Sequence, residues 1–203
     1  MVLSRPIRIL ALAVLFGAVA SYVKGFDAGL RGDLGNVSAP WLLLPFLASL
    51  SSRSLVRGAM VGLTASAIAL VGFYALQTFM LQGHLGGGGY LRELVVEVEA
   101  NRIYLLAGAA TGPVFGALGA WFGRTYRRWT WVAVGGLLVG EICVVALVQG
   151  RQLLPPPLYF KWGVANWTAY WLEMACGLAI ILSAWSRERF MRAKAHREGH
   201  GSI

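Results

Sequence analysis

The sequence has few charged residues and almost no cysteine. Only 13% of its 203 residues are Asp, Glu, Lys or Arg, whereas soluble domains carry about 25%. Hydrophobic residues make up 57% of the chain and the mean hydropathy is +0.62. The two cysteines, Cys143 and Cys176, lie within apolar runs, which argues against a disulfide framework and a thiolate metal site. The composition predicts an all-α integral membrane protein rather than a soluble domain.

Acidic residues and histidine are also scarce. Nine acidic residues against 18 basic ones give a net charge of +9. The basic residues occur in short clusters between apolar runs, which is typical of charges that set membrane topology, so we expect a lipid bilayer as partner and no nucleic acid. The three histidines, His84, His196 and His200, lie outside the apolar runs. Without a buried imidazole for haem, metal or a Ser-His dyad, we predict no enzyme and no cofactor or metal.

Five apolar runs approach the length needed to cross a hydrocarbon core of about 30 Å. They cover roughly residues 7–23, 58–81, 103–123, 129–149 and 162–186. A sixth run, 40–50, contains two prolines and would cover only about 18 Å as a helix. It is either a thin crossing completed by flanking residues or a re-entrant segment.

The distribution of basic residues favours six crossings. With a cytoplasmic N-terminus, twelve Lys and Arg residues lie inside and six outside, in agreement with the positive-inside rule. We therefore predict a six-transmembrane-helix bundle over residues 1–186 in a bacterial inner membrane, followed by a basic cytoplasmic tail over 187–203. The first run also resembles a signal peptide ending at Ala18-Val19-Ala20. We expect it to remain as the first span.

Residues 90–101 follow a glycine run and predict an amphipathic helix at the outer surface. Its apolar face comprises Leu91, Leu94, Val95 and Val98, opposite Arg92, Glu93 and Glu97. The helix is either a lid or a surface segment that leads into the next span.

Small residues recur every four positions in several spans, and the first span carries Ala13, Gly17 and Ser21. Such stripes let helix backbones approach closely in lipid. We interpret them mainly as internal packing surfaces. The alternative is that the stripe in the first span docks a membrane partner subunit.

Two glutamates lie deep in consecutive apolar runs. Glu141 follows Trp129 at the inner surface by about 18 Å, and Glu173 follows Trp162 at the outer surface by about 16 Å, so both lie near the same depth. Two neighbouring carboxylates in a low dielectric share a proton, bind a cation or pair with a basic group of a substrate. A protonated glutamate can also join helices by a hydrogen bond, and the pattern leaves both interpretations open.

Amide and aromatic side chains near these glutamates suggest a cradle for a small cationic or nitrogenous solute. The candidate ligand-binding residues are Glu141, Glu173, Asn166, Tyr170, Trp167, Trp41 and Tyr74. The competing interpretation of the aromatic residues is that they mark the outer membrane interface.

Four motifs together resemble a family of small, mostly actinobacterial membrane proteins of unknown function. They are NVSAPWLLLPFLAS at 36–49, GLTASAIALVGFY at 62–74, GPVFGALGAWFGR at 112–124 and GLLVGEI at 136–142. The resemblance implies only that Trp41, Tyr74, Pro113 and Glu141 lie in family motifs. In outline the chain is also similar to the S subunits of energy-coupling-factor transporters, which implies six helices and outer loops over a solute pocket.

These observations predict small-solute binding or transport, with a pocket in the outer half of the bundle around the two glutamates. The alternative is a non-transporting scaffold or assembly subunit whose glycine-rich helix faces dock a partner.

Overall fold

A computed structural model describes residues 5–25, 29–81, 89–126, 129–154, 160–161 and 167–199. The described chain is a bundle of helices with one short hairpin. The helices are α1 Arg5–Lys24, α2 Leu30–Asn36, α3 Ala39–Ser49, α4 Leu55–Met80, α5 Tyr90–Ala100, α6 Arg102–Thr125, α7 Thr130–Val148 and α8 Thr168–Gly199. The hairpin pairs β1 Gln152–Leu154 with β2 Phe160–Lys161 in antiparallel fashion, and the sequence analysis did not predict it.

Five described helices are long and apolar enough to cross a membrane. The candidate spans are Ile7–Lys24, Leu55–Met80, Arg102–Thr125, Thr130–Val148 and Thr168–Ser186. They match the five long apolar runs, except that the last one begins later, because 162–166 lie outside the described residues. The chain is thus a multi-pass, helical membrane protein by the length and composition of its helices.

The sixth apolar run forms a half-length helix. Helix α3 has 11 residues, with Pro45 inside it, and therefore covers about 16 Å of a hydrocarbon core of about 30 Å. The short helix α2 precedes it. The described residues between α1 and α4 thus form two short helices rather than one continuous span.

Helices α4 and α6 pack against each other through their glycines. A Cβ atom on Gly62 would lie 2.3 Å from the carbonyl oxygen of Gly112, and one on Gly58 would lie 2.6 Å from that of Gly116. The earlier residue of α4 meets the later residue of α6, so the two helices are antiparallel. Only glycine permits backbones to approach so closely, which agrees with the interpretation of the stripes as packing surfaces.

The small-residue stripe of α1 packs inside the chain against α4. Ala13 and Ser21 are fully buried, and a Cβ on Gly17 would lie 1.8 Å from the carbonyl oxygen of Ala69. The Ser21 hydroxyl donates to Oε1 of Gln77 over 2.9 Å. The surface that we considered for docking a partner subunit is therefore occupied by a helix of the same chain.

Helix α3 runs alongside α6 toward the end of the bundle where α4 begins. Cβ atoms on Gly119 and Gly123 would lie 2.1 and 1.7 Å from the carbonyl oxygens of Phe46 and Leu50. The Ser49 hydroxyl donates to the carbonyl oxygen of Gly58 over 2.9 Å. These contacts place the C-terminal end of α3 beside the first turn of α4, so its N-terminal end lies inside the bundle.

Helix α5 forms as predicted, but the side of the helix that faces the bundle differs from the predicted one. Leu94 and Val98 pack on the cluster of Leu70, Phe73 and Tyr74, whereas Leu91 and Val95 are 75% and 56% exposed. Glu93, which we assigned to the outward polar face, is only 2% exposed. The predicted orientation is wrong, because the apolar stripe is divided between the bundle and the exterior. The polar side of α5 also meets the bundle, where the Glu97 carboxylate attracts Lys24 at the end of α1.

Candidate functional site

Glu141 binds the start of helix α3. It lies in the middle of α7 and is 9% exposed. The backbone N–H of Ser38 donates to its Oε1 atom over 2.6 Å, and the backbone N–H of Ala39 donates to its Oε2 atom. Both oxygens of the carboxylate are therefore engaged by main-chain donors of another helix.

The beginning of α3 requires such an acceptor. The first N–H groups of any helix lack an intrahelical partner, and the Ser38 side chain makes no capping hydrogen bond. Pro40 has no N–H to satisfy, and the N–H groups of Trp41 and Leu42 already donate to the carbonyl oxygen of Ser38. Ser38 and Ala39 are the donors left over, and Glu141 accepts both while placing a carboxylate at the positive end of the helix dipole.

Glu173 lies against Glu141 from the neighbouring helix. The α7 and α8 backbones approach at Gly135 and Gly177, where a Cβ on Gly135 would lie 2.5 Å from the Gly177 carbonyl oxygen. Glu141 follows Gly135 by six residues and Glu173 precedes Gly177 by four, and the two carboxyl groups are close enough to interact directly. Glu173 is 8% exposed, and neither of its oxygens accepts a hydrogen bond from the part of the chain that the structure describes. The structure thus brings the two predicted glutamates together.

Two aromatic side chains lie in the same α7–α8 interface as this carboxyl pair. Tyr170 lies one turn before Glu173 on α8 and packs on Ile142 and Val145 of α7. The ring of Trp167 lies 6.0 Å from that of Tyr170. Trp167 and Tyr170 therefore belong to the same helix interface as the glutamates.

The other predicted site residues lie elsewhere. Trp41 packs edge-on against Phe16 and Phe73, with ring centroids 5.1 and 5.6 Å apart. The Tyr74 hydroxyl donates to the Asn101 carbonyl oxygen over 3.3 Å. These two aromatic residues belong to a cluster between α1, α3 and α4, apart from the α7–α8 interface. Asn166 lies outside the described residues.

A second polar group lies at the end of the bundle beneath α5. Lys24 Nζ lies 5.4 Å from the centre of the Phe73 ring and 5.9 Å from that of Tyr104, and the Glu97 carboxylate attracts it. This cation–π arrangement anchors the end of α1. The lysine already has partners of its own and does not compensate the glutamates.

Sequence reasoning missed the backbone of Ser38 and Ala39 as the partner of Glu141. No local signal pointed to it, because Ser38 is of a residue type that commonly caps a helix through its own side chain. Only the structure shows that this side chain makes no capping hydrogen bond. Among the described residues, no three His, Cys, Asp or Glu side chains cluster as metal ligands would.

The chain matches a known family over nearly its whole length. The family of unknown function DUF6518 matches residues 1–197. The chain belongs to DUF6518. Glu141 and the start of α3 both fall within the matched part of this DUF6518 protein. No curated protein and no solved structure matches the chain.

Proposed function

We propose that this DUF6518 protein binds a proton or a small cationic solute at the Glu141–Glu173 pair and serves small-solute transport across a bacterial inner membrane. The observation that supports the proposal is a buried carboxyl group, Glu173, that faces a second carboxyl group and has no hydrogen-bond donor among the described residues. Intramembrane carboxyl groups are costly and are typical of ion and substrate paths.

The charges around the pair favour binding of one positive charge. The N-terminus of α3 offers two N–H donors and about half an elementary charge, which compensates one carboxylate, that of Glu141. A second carboxylate in direct contact would be buried without compensation. Glu173 therefore shares a proton with Glu141 or receives the cationic group of a solute.

The arrangement of Tyr170 and Trp167 fits a solute with a cationic nitrogen. Their rings lie in the same helix interface as the pair, and aromatic faces attract ammonium groups within about 6 Å. Helix α3 fits a transport site as well, because broken helices that end at mid-membrane are typical of transporters.

The topology that belongs to this proposal has six crossings with both termini in the cytoplasm. The sixth crossing would consist of α3 completed by residues 29–38. The direction of the helices supports it, because α4 and α6 are antiparallel and only residues 126–129 separate α6 from α7. The excess of basic residues on the assigned inner side supports the same orientation.

The test compares Glu173→Gln with Glu99→Gln, a matched change at an exposed glutamate of α5. Infrared spectra of the protein in liposomes at neutral pH should show a protonated carboxyl band that Glu173→Gln removes and Glu99→Gln keeps. Uptake of labelled methylammonium, the probe for a cationic solute, should fall at least about tenfold in Glu173→Gln only. Wild-type spectra and uptake in both variants would contradict the proposal.

One observation favours a scaffold as the second candidate function. Both oxygens of Glu141 are used by the backbone of α3, as expected of a purely structural residue. A scaffold would have to dock its partner on a surface other than the stripe of Ala13, Gly17 and Ser21. In that case, Glu173→Gln should leave every measured activity of the assembly unchanged.

A further inference from the structure

A groove between α4, α5 and α6 is distinct from the carboxyl pair. Its volume is about 420 Å³, and its walls include Leu63, Ala67 and Val71 of α4, Leu94 and Val98 of α5, and Leu105 of α6. Among the described residues that line it, only Tyr74 has a polar side chain, and its hydroxyl group donates to Asn101. The groove therefore offers a polar solute almost nothing to bind.

The groove lies along the membrane-spanning part of the bundle and opens sideways. On α4 it extends from Leu63 to Ala75, twelve positions or about 18 Å of helix. This length is close to one leaflet of a hydrocarbon core of about 30 Å. Ala67, Val71 and Ala109, which line the groove, are exposed, so its side faces the surrounding lipid.

The end of the groove beneath α5 has the features of a lipid headgroup site. Arg102 is exposed at the first position of α6, one helical turn before Leu105. Helix α5 closes this end with Leu94 and Val98 and turns Leu91 and Val95 outward, as a helix at the boundary of headgroups and acyl chains does. A guanidinium group at this position can form paired hydrogen bonds with a phosphate.

We propose that the groove holds one anionic phospholipid, with an acyl chain along Ala67 and Val71 and its phosphate at Arg102. The length of the groove, its apolar walls, its lateral opening and the charge at its end all match this ligand. The site does not depend on the proposed transport function, since none of its residues touches the glutamate pair.

The test is native mass spectrometry of the full chain in detergent with added phosphatidylglycerol or phosphatidylcholine. One phosphatidylglycerol per chain should stay bound. Ala67→Trp fills the groove and should weaken binding at least about tenfold, whereas Ala146→Trp, on an exposed face of α7, should not. Ala109→Leu, on the opposite wall, is a second filling variant should the tryptophan prevent folding.

The headgroup is tested by Arg102→Gln, with Arg151→Gln as the matched change at an exposed arginine of the α7–β1 connection. Arg102→Gln should abolish the preference for phosphatidylglycerol over phosphatidylcholine, and Arg151→Gln should keep it. Equal lipid retention in the filling variants and in Ala146→Trp would mean unspecific lipid around the bundle and would overturn the proposal. An unchanged preference in Arg102→Gln would overturn the headgroup assignment.

Discussion

The backbone N–H of Ser38 donates to Oε1 of Glu141 over 2.6 Å, although 103 positions separate the two residues in the chain. This bond, with that of Ala39 to Oε2, joins the start of a half-length helix to the middle of a full span. In lipid no water can satisfy such donors. The Glu141 side chain of α7 thus supplies the acceptors that the N–H groups at the start of α3 would otherwise lack in lipid.

Substitution of Glu141 should destabilise the protein in proportion to the acceptors that are lost. Glu141→Gln retains one oxygen acceptor and turns its NH₂ group toward a backbone N–H, so we expect a loss of about 2 kcal/mol. Glu141→Leu leaves both buried donors without an acceptor, and we expect about 4 kcal/mol. Unfolding in detergent measures both, and Glu99→Gln is the control. Stability unchanged in Glu141→Leu would mean that α3 does not need this cap.

The glycines between α4 and α6 should tolerate no side chain. A Cβ on Gly62 would lie 2.3 Å from the Gly112 carbonyl oxygen, so Gly62→Ala should push the helices apart and cost about 3 kcal/mol. Gly140 of α7 is the matched control, because nothing lies within 4 Å of the position of its Cβ. Gly140→Ala should raise stability by about 0.5 to 1 kcal/mol, since alanine favours helix. Thermal unfolding of both variants provides the comparison, and equal effects would disprove the close α4–α6 contact.

The stripe of α1 gives opposite expectations for internal packing and for partner docking. A Cβ on Gly17 would overlap the Ala69 carbonyl oxygen, so Gly17→Leu should prevent folding of the isolated chain. Ala11→Leu, at an exposed position of the same helix, should fold normally. Size-exclusion chromatography and circular dichroism distinguish the two results. A folded Gly17→Leu protein that loses a larger complex would restore the docking interpretation.

The depth of the two glutamates could be predicted from the sequence because a helix rises by a constant amount per residue. Counting from flanking tryptophans placed Glu141 and Glu173 at similar levels, and they do meet. The cap of α3 could not be predicted in this way, because it depends on how α3 and α7 are placed in space. No local spacing links Ser38 to Glu141.

The orientation of α5 shows a different limit of sequence patterns. Periodicity identified the helix correctly, since Leu91, Leu94, Val95 and Val98 recur at helical spacing. It could not show that the end of α1 presents Lys24 to Glu97 of this helix. The apolar stripe is therefore divided between the bundle and the exterior. Trp41 and Tyr74 were grouped with the glutamates for a similar reason, since aromatic content does not reveal which helix interface a ring enters.

Membrane topology provides the last prediction, and the helix directions make it specific. On α1 and α4, Val14 lies against Gly72 and Ser21 bonds Gln77, so later residues of one helix meet later residues of the other and the helices are parallel. Parallel neighbours require that the chain between them return across the membrane. We therefore expect α3 and the residues before it to complete a crossing.

Cysteine labelling with an impermeant reagent in intact cells checks this, after replacement of Cys143 and Cys176 by alanine. We expect Glu99→Cys to react from outside, whereas Thr125→Cys, exposed at the end of α6, should react only after the cells are opened. A re-entrant α3 would reverse the sides of all later helices relative to α1. Labelling of Thr125→Cys from outside, with a cytoplasmic N-terminus shown by a protease-protected tag, would thus contradict both the six-span topology and the parallel packing of α1 and α4.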